Sequence, residues 1–191
     1  MKRILVIDNN DSFVYNAVQL LREAVADVTV RRSCCVELET LADYDGVVLS
    51  PGPGLPSESE GLMASIEAVV RERKPVLGIC LGHQALAEHF GARLLNMEAP
   101  LHGHPSQLTV VDRKDPMLQN LPEPAIVGRY HSWVVDPATM PDVLLASSYD
   151  EQGNIMSFYH REFPVYGVQF HPESYISNCG GQIIRNWLDT F

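Results

Sequence analysis

Cysteine is scarce in this chain, and its four cysteines form no pattern typical of a metal site or a disulfide scaffold. Cys34 and Cys35 are adjacent, while Cys80 and Cys179 stand alone, so no Cys-x-x-Cys pair exists. Zinc modules use such pairs, and disulfide scaffolds are short chains rich in cysteine. The spacing therefore argues against both classes, and it assigns no role to Cys34, Cys35 or Cys179.

Basic residues and long apolar runs are also lacking. The 191 residues carry 14 Lys and Arg against 24 Asp and Glu, which gives a net charge of -10. A surface of that sign repels phosphate backbones and anionic lipids, so we expect no nucleic acid and no membrane as partner. No apolar run approaches the roughly 20 residues of a membrane-spanning helix, and acidic Asp8 soon follows the first run. We expect a cytoplasmic protein.

The composition is that of a globular protein, with 46% apolar and 20% charged residues. The length fits a single domain over residues 1–191 with a full core. Apolar runs at 3–8, 28–30, 46–49 and 76–79 predict buried parallel strands. Helical spacing predicts helices over 13–24, 61–73 and 81–90, with a shorter one at 36–41. The alternation predicts an α/β fold, a three-layer open sheet that is mostly parallel with helices on both faces.

The second half of the chain has a different pattern. Short apolar runs at 108–111, 125–127, 143–146, 155–159 and 165–170 are separated by Pro, Gly and Asp, which indicates strands joined by turns. We expect these strands to add to the same sheet in mixed or antiparallel fashion. A last helical pattern covers 180–188.

The most informative stretch is Gly78-Ile79-Cys80-Leu81-Gly82. An apolar strand ends at a cysteine, glycines stand on both sides, and a helical pattern begins at once. This is the layout of a nucleophile elbow, with cysteine in place of serine. The start of a helix favours a thiolate over a thiol. The alternative is a buried structural cysteine at the end of a core strand, which is the commoner role of a free cysteine.

A cysteine nucleophile needs a base, and His171 is the best placed of the seven histidines. It follows the apolar run that begins at Val165, so we expect it at the same carboxyl edge of the sheet as Cys80. Pro172 favours an extended backbone at His171, and in an extended segment residues two apart point the same way. Glu173 could then lie beside the His171 ring and orient it. A solvated histidine and a surface glutamate are the alternative.

Four motifs in order carry a family resemblance: Ser-Pro-Gly-Pro-Gly (50–54), Gly-Ile-Cys-Leu-Gly-His-Gln (78–84), Arg-Tyr-His-Ser (129–132) and Gly-Val-Gln-Phe-His-Pro-Glu-Ser (167–174). Together they resemble the class I (triad) glutamine amidotransferases, whose fold is flavodoxin-like. The segment Asp-Asn-Asn-Asp-Ser-Phe (8–13) narrows the resemblance to the small subunits of anthranilate synthase and of 4-amino-4-deoxychorismate (para-aminobenzoate) synthase. The resemblance covers essentially the whole chain.

The resemblance implies a role for nine residues. Cys80 would be the nucleophile, His171 the general base and acid, and Glu173 the group that orients the histidine. Six further residues would bind substrate glutamine or its oxyanion: Gly52, Gly54, Leu81, Gln84, Ser132 and Trp133. The oxyanion hole would use the backbone N–H groups of Leu81 and Gly54. The amino-acid end of glutamine would be held by the Gln84 side chain and the backbone at 132–133, with Gly52 beside the ligand.

The resemblance also implies the reaction and the partner. The chain would hydrolyse L-glutamine and pass ammonia to a separate chorismate-binding synthase subunit in a heteromeric complex. No metal and no organic cofactor is needed for this half, since the Mg²⁺ expected in the family belongs to the partner. Residues 101–106 and 175–180 depart from the family pattern, so the tryptophan and folate branches both stay open.

Two other functions remain to be weighed. A stand-alone γ-glutamyl hydrolase could use the same triad on a similar fold without any partner. A flavodoxin-like binding or signalling module is a different class. It is disfavoured because Ser50-Pro51 stands where a receiver domain needs an acidic phosphoacceptor, and because the acidic 8–11 loop would repel a flavin phosphate.

Overall fold

Strand β1 (Lys2–Asp8) shows how the sequence builds two hydrophobic layers around one sheet. Side chains alternate along a strand, so Ile4 and Val6 enter one apolar cluster while Leu5 and Ile7 enter the other. All four are buried, and each contributes about 1.5–3 kcal/mol relative to an exposed side chain. The computed structural model describes residues 1–24 and 26–191.

The helices and strands follow one another along the chain as an alternating α/β half and a strand-rich half. The helices are α1 (Val14–Glu23), α2 (Leu62–Arg71), α3 (Leu81–His89) and α4 (Gly180–Leu188). The strands after β1 are β2 (Ala26–Arg32), β3 (Gly46–Leu49), β4 (Val76–Ile79), β5 (Leu94–Asn96), β6 (His104–Gln107), β7 (Thr109–Val110), β8 (Ile126–Arg129), β9 (Trp133–Val135), β10 (Leu144–Tyr149), β11 (Ile155–His160) and β12 (Val165–Val168).

The central sheet has the strand order β2-β1-β3-β4-β12-β11-β10-β7. The pairs from β2 to β12 are parallel, and those from β12 to β7 are antiparallel. Helices α1 and α4 pack on one face, and α2 and α3 on the other. The predicted three-layer sheet with helices on both faces is therefore confirmed.

The pairing of β4 with β12 positions the site. Ile79 lies opposite Val168 in parallel register, so Cys80 and Gln169 leave the sheet side by side at its carboxyl edge. The Cys80 N–H donates to the Val168 carbonyl at 2.8 Å, which continues the ladder up to the cysteine. Ligand sites of open α/β sheets lie at this edge.

Several predicted elements were wrong in detail. The strand predicted at 125–127 is β8, which pairs with β6 in a separate two-stranded ribbon, and β5 pairs with β9 in another. Strands β5, β6 and β9 were not predicted, because three or four residues carry too little periodicity. The predicted helix at 36–41 is a 3₁₀ segment, Leu38–Asp43, and the predicted strand 165–170 ends at Val168.

The helices are short. Within the described part of the chain, no helix has the length and apolar character needed to cross a membrane.

Candidate active site

Cys80 occupies a strained turn between β4 and α3. Its backbone has φ 52° and ψ -100°, outside the regions that residues with a side chain ordinarily adopt. Such a conformation costs about 1–3 kcal/mol and persists only when its surroundings enforce it. This is the nucleophile-elbow geometry that the sequence predicted, with the side chain 5% exposed.

Two glycines make the elbow sterically possible. A Cβ on Gly82 would lie 2.5 Å from the Leu49 carbonyl oxygen, and one on Gly78 would lie 2.5 Å from the Gly82 backbone. Both distances are far below van der Waals contact. Helix α3 therefore begins directly against β3 and β4, because neither glycine has a side chain.

His171 and Glu173 form the expected pair, but along a different backbone path. The His171 Nδ1–H donates to Glu173 Oε1 at 2.7 Å, and both side chains are buried. The segment is a turn rather than an extended strand, with the Ser174 N–H donating to the His171 carbonyl at 3.2 Å. The backbone predicted to be extended at His171 forms an antiparallel bridge with Gly128, but the chain turns at 172–173, so the extended segment predicted to reach Glu173 was wrong.

The ribbon strand β8 and two aromatic rings fix the histidine. The His171 N–H donates to the Gly128 carbonyl at 2.9 Å, and Ser177 Oγ donates to the His171 carbonyl at 2.6 Å. The rings of Phe13 and Tyr130 meet the imidazole edge-on, at centroid distances of 5.5 and 5.0 Å. Sequence reasoning missed both aromatic residues, which come from distant segments.

The second ring nitrogen of His171 is not used by Glu173. Nε2 is buried and has no hydrogen-bond partner among the residues described. Burial lowers the pKa of His171, but the negative charge of Cys80 and the hydrogen bond and charge of Glu173 outweigh it and raise the pKa well above its usual value. The arrangement therefore favours an imidazolium beside Cys80.

A small cavity of about 190 Å³ opens beside Cys80. Six of the nine predicted site residues line it: Gly52, Gly54, Cys80, Gln84, Ser132 and Trp133. Leu81 lies beneath, since its side chain would be 2.5 Å from a Cβ on Gly52. A larger groove of about 720 Å³, between Gln107 and Ala125, contains no predicted site residue. His171 and Glu173 do not line the smaller cavity, but Cys80 and five of the predicted binding residues do, and this makes it the candidate site.

The loop carrying Gly52 and Gly54 is tied to its surroundings by buried polar contacts. Asn9 donates from its N–H to Ser50 Oγ at 2.8 Å and from Nδ2 to the Ser50 carbonyl at 2.9 Å. Gly54 has φ +70°, a conformation that favours glycine. The Leu81 N–H belongs to the first turn of α3, where helix donors lack intrahelical acceptors. The loop and the helix start thus come together beside Cys80.

Two side-chain amides, those of Gln84 and Gln169, form a hydrogen-bonded chain through the site. Only Gln84 was predicted from the sequence. Gln84 Nε2 donates to the Trp133 carbonyl at 2.8 Å and to Gln169 Oε1 at 3.1 Å. Gln169 Nε2 donates in turn to Cys80 Sγ at 3.6 Å. Gln169 was missed, although a polar residue ending an otherwise apolar strand in the His171 motif was an available signal.

His131 is excluded as a second base by its contacts. Its Nε2 accepts from Arg129 Nε at 3.1 Å, which leaves Nδ1–H to donate to the Trp133 carbonyl at 3.0 Å. Burial and the Arg129 charge lower the pKa of His131 to about 3. Arg129 is itself held by Asp150, with Nη1 and Oδ2 2.6 Å apart and both side chains buried. The contacts of His131 fix the backbone at Trp133, and its low pKa keeps its ring neutral near pH 7.

The described residues include no group of three or more His, Cys, Asp or Glu side chains placed to hold a metal ion. The side chains near the cavity include the Cys80 thiol and the Gln84 amide.

Comparison with known proteins agrees with this geometry. The family described as glutamine amidotransferase class-I matches residues 5–191. The chain is 41% identical over 189 residues to anthranilate synthase component 2 of Azospirillum brasilense, covering 98% of this chain and 95% of that protein. It is 40% identical over 190 residues to aminodeoxychorismate synthase component 2 of Escherichia coli K12, covering 97% and 98%.

A solved structure shows the same fold. A protein of Thermoplasma acidophilum, assigned as one of the subunits of GMP synthase, superposes with a TM-score of 0.88 at 27% identity and covers 99% of this chain and 93% of its own. The fold, the ordered motifs and the sequence matches agree along nearly the whole length. This chain belongs to the class I glutamine amidotransferase family of enzymes.

Proposed function

We propose that this chain hydrolyses L-glutamine through a Cys80–His171–Glu173 triad and supplies the ammonia to a separate synthase subunit that aminates chorismate. One observation carries the proposal. A cysteine in a strained elbow opens onto a small cavity, next to a buried histidine whose far nitrogen is held by a glutamate at 2.7 Å.

The triad divides the chemistry into two steps. Cys80 Sγ attacks the side-chain carboxamide carbon of glutamine, and the resulting oxyanion accepts hydrogen bonds from the Gly54 and Leu81 N–H groups. His171 protonates the departing nitrogen, so ammonia leaves and a γ-glutamyl thioester remains. His171 then takes a proton from water, the hydroxide adds to the thioester, and glutamate leaves as the thiolate is restored.

The amino-acid end of glutamine has its own receptors. Both Nε2 hydrogens of Gln84 are used by Trp133 and Gln169, so its Oε1 is the group available to accept from an α-ammonium. The backbone at 132–133 lines the same cavity. Gly52 lines the cavity and packs too closely on Asn9 and Leu81 for any side chain, so the loop is held close beside the ligand.

The partner is inferred from the relatives. Two of them are named as component 2 of a synthase, one for anthranilate and one for aminodeoxychorismate. Both names occur at similar identity, so the proposal includes either branch. We also propose a cytoplasmic location, because the nucleophile must be a free thiol and reducing compartments keep thiols free.

Reconstitution tests the proposal. The chain is mixed with an anthranilate-type or an aminodeoxychorismate-type synthase subunit, and glutamate release and aminated product are measured with and without chorismate. We expect stimulation by at least one partner. Cys80→Ala should remove glutamine-dependent product and leave product formation from added ammonium salt.

Two outcomes would overturn the proposal. Loss of ammonium-dependent product in the Cys80→Ala complex would show that the cysteine is structural. Full glutamine hydrolysis by the isolated chain, unchanged by either partner and accompanied by release of glutamate from γ-glutamyl peptides, would indicate the stand-alone hydrolase instead.

A further inference from the structure

Gln169 is a fully buried polar residue in contact with the nucleophile. Its side chain has no exposed surface, and its Nε2 lies 3.6 Å from Cys80 Sγ. Parallel pairing of β4 with β12 creates this neighbourhood, because Val168 lies opposite Ile79 and the next residue on each strand is Gln169 or Cys80. Backbone pairing thus places an amide beside the sulfur whatever the substrate.

The neighbours of the Gln169 amide determine which of its ends, the nitrogen or the oxygen, faces Cys80. The Trp133 carbonyl accepts hydrogen bonds and cannot donate, so the nitrogen of Gln84 must face it. The same nitrogen has a second hydrogen, which needs an acceptor, and Gln169 supplies Oε1 at 3.1 Å. The NH₂ group of Gln169 is therefore the end that faces Cys80. The opposite orientation would set two donors against each other and leave the sulfur without a donor.

We propose that Gln169 is a further catalytic residue, whose Nε2–H donates to Cys80 Sγ and stabilises the thiolate in the orientation that faces the cavity. A hydrogen bond to a charged acceptor in a buried site is stronger than one to a neutral acceptor. The contact therefore favours the thiolate of the free enzyme over the thiol. It also favours the thiolate over the thioester, whose sulfur carries no charge, and so assists expulsion of the sulfur when glutamate is released.

His171 and Gln169 have different roles toward the Cys80 sulfur in this proposal. His171 moves protons and is held by Glu173, while Gln169 has no titratable proton and acts only as a donor. The effect of Gln169 on turnover rests on the proposed glutaminase function. The effect of Gln169 on the Cys80 sulfur does not rest on that function, because the contact exists without substrate.

The test measures alkylation of Cys80 by iodoacetamide against pH, without glutamine or partner. Labelling of the Cys80 peptide is followed by mass spectrometry, so the exposed Cys34 and Cys35 do not interfere. Gln169→Met replaces the amide by a thioether of similar length with no donor. We expect the midpoint of its alkylation profile to move upward by about one pH unit, the equivalent of one charge-assisted hydrogen bond.

Two further variants make the result specific. Gln119→Met is the matched control, since that partly buried glutamine uses its Nε2 as a donor to backbone carbonyls and lies outside the site; its profile should follow the native one. Gln169→Glu keeps the oxygen that accepts from Gln84 and places an anion at the sulfur, so its midpoint should move further upward. It also tests the proposal should Gln169→Met fail to fold, as judged by circular dichroism.

The proposal is overturned if a folded Gln169 variant gives the native profile, or if Gln119→Met shifts as much as Gln169→Met. In the reconstituted complex, we expect Gln169→Met to lower glutamine-dependent kcat about tenfold, corresponding to the loss of one such donor, with ammonium-dependent activity intact. Absence of glutaminase activity in the native complex would instead refute the proposed function and leave the alkylation result standing.

Discussion

Glu173 holds Nδ1 of His171 at 2.7 Å, while Nε2 of the same ring has no partner among the residues described. A carboxylate can only accept, so the contact places a hydrogen on Nδ1 and directs the other nitrogen toward Cys80. The pair stands outside the sheet, on a turn anchored to β8. The orientation of the His171 imidazole thus depends on the β6–β8 ribbon as well as on the motif.

Removing the base should have the largest effect after loss of the nucleophile. His171→Ala should lower glutamate release by the reconstituted complex about 10³- to 10⁶-fold, in line with triad residues of hydrolases. Glu173→Gln should cost less, because the amide still contacts Nδ1 but no longer supports an imidazolium. Steady-state glutaminase assays check the order. Equal losses for the two variants would contradict an orienting role for Glu173.

The triad should also act as a unit. Adding His171→Ala to Cys80→Ala should lower the remaining glutamine hydrolysis by almost nothing, because the proton transfer serves only the thiol chemistry. The measurement is the double-mutant cycle on glutamate release. Additive losses would show that His171 has a separate function.

The elbow glycines should tolerate no side chain. Gly82→Ala should destabilise the protein by about 1–3 kcal/mol and reduce glutaminase activity, because its Cβ would force α3 away from Leu49. Gly181→Ala in α4 is the control, since its Cβ would meet only the flexible end of Arg185 at 3.3 Å. It should leave stability unchanged or raise it by up to about 1 kcal/mol through helix propensity. Urea unfolding distinguishes the two, and equal stabilities would refute the steric argument.

Asp115 should make stability fall as the pH rises through the weakly acidic range. It is fully buried, accepting from Met117 N–H at 2.9 Å and Ser147 Oγ at 2.5 Å, and burial raises its pKa from 3.8 to about 6. Between these two pKa values the folded state holds more protons than the unfolded state. The free energy of unfolding therefore falls by about 3 kcal/mol as the pH rises, and the loss is complete above pH 6.

Asp115→Asn removes that penalty. The stability of this variant relative to the native protein should rise between about pH 4 and pH 6 and stay level above. Urea unfolding at several pH values measures the difference. A difference that does not vary with pH would show that Asp115 is not a buried charge in the folded protein.

His83 should act in the opposite direction. It is fully buried against Phe158, and burial lowers its pKa from 6.5 to about 3. The unfolded chain takes up a proton below pH 6.5 and the folded chain does not, so stability is lost as the pH falls, by about 2 kcal/mol at pH 5. His83→Leu should show a smaller loss between pH 7.5 and pH 5, measured by thermal unfolding. His131 is present in both the native protein and the variant, so its contribution cancels in the difference between their stabilities.

The sequence alone determined the features that depend on local pattern. Apolar runs and helical spacing identified the strands and helices of the α/β half, since period and burial are set within each segment. The glycines around Cys80 indicated a close turn, and the observed φ of 52° is of that kind. Ordered motifs identified the family, which the comparisons confirmed. The site roles of the predicted residues stay predictions, although the structure brings six of the nine to one cavity.

The tertiary structure decided what depends on contacts between distant segments. Strands β5, β6 and β9 exist because partners are available, and no residue in them reveals that pairing. His131 is one of seven histidines in the sequence, but the burial and the Arg129 charge that keep it neutral arise only in the fold. Gln169 reaches Cys80 only because β4 and β12, separated by most of the second half of the chain, lie side by side. Sequence spacing does not specify which strands are neighbours, and the free energy of a buried polar contact depends on groups that only the folded chain assembles.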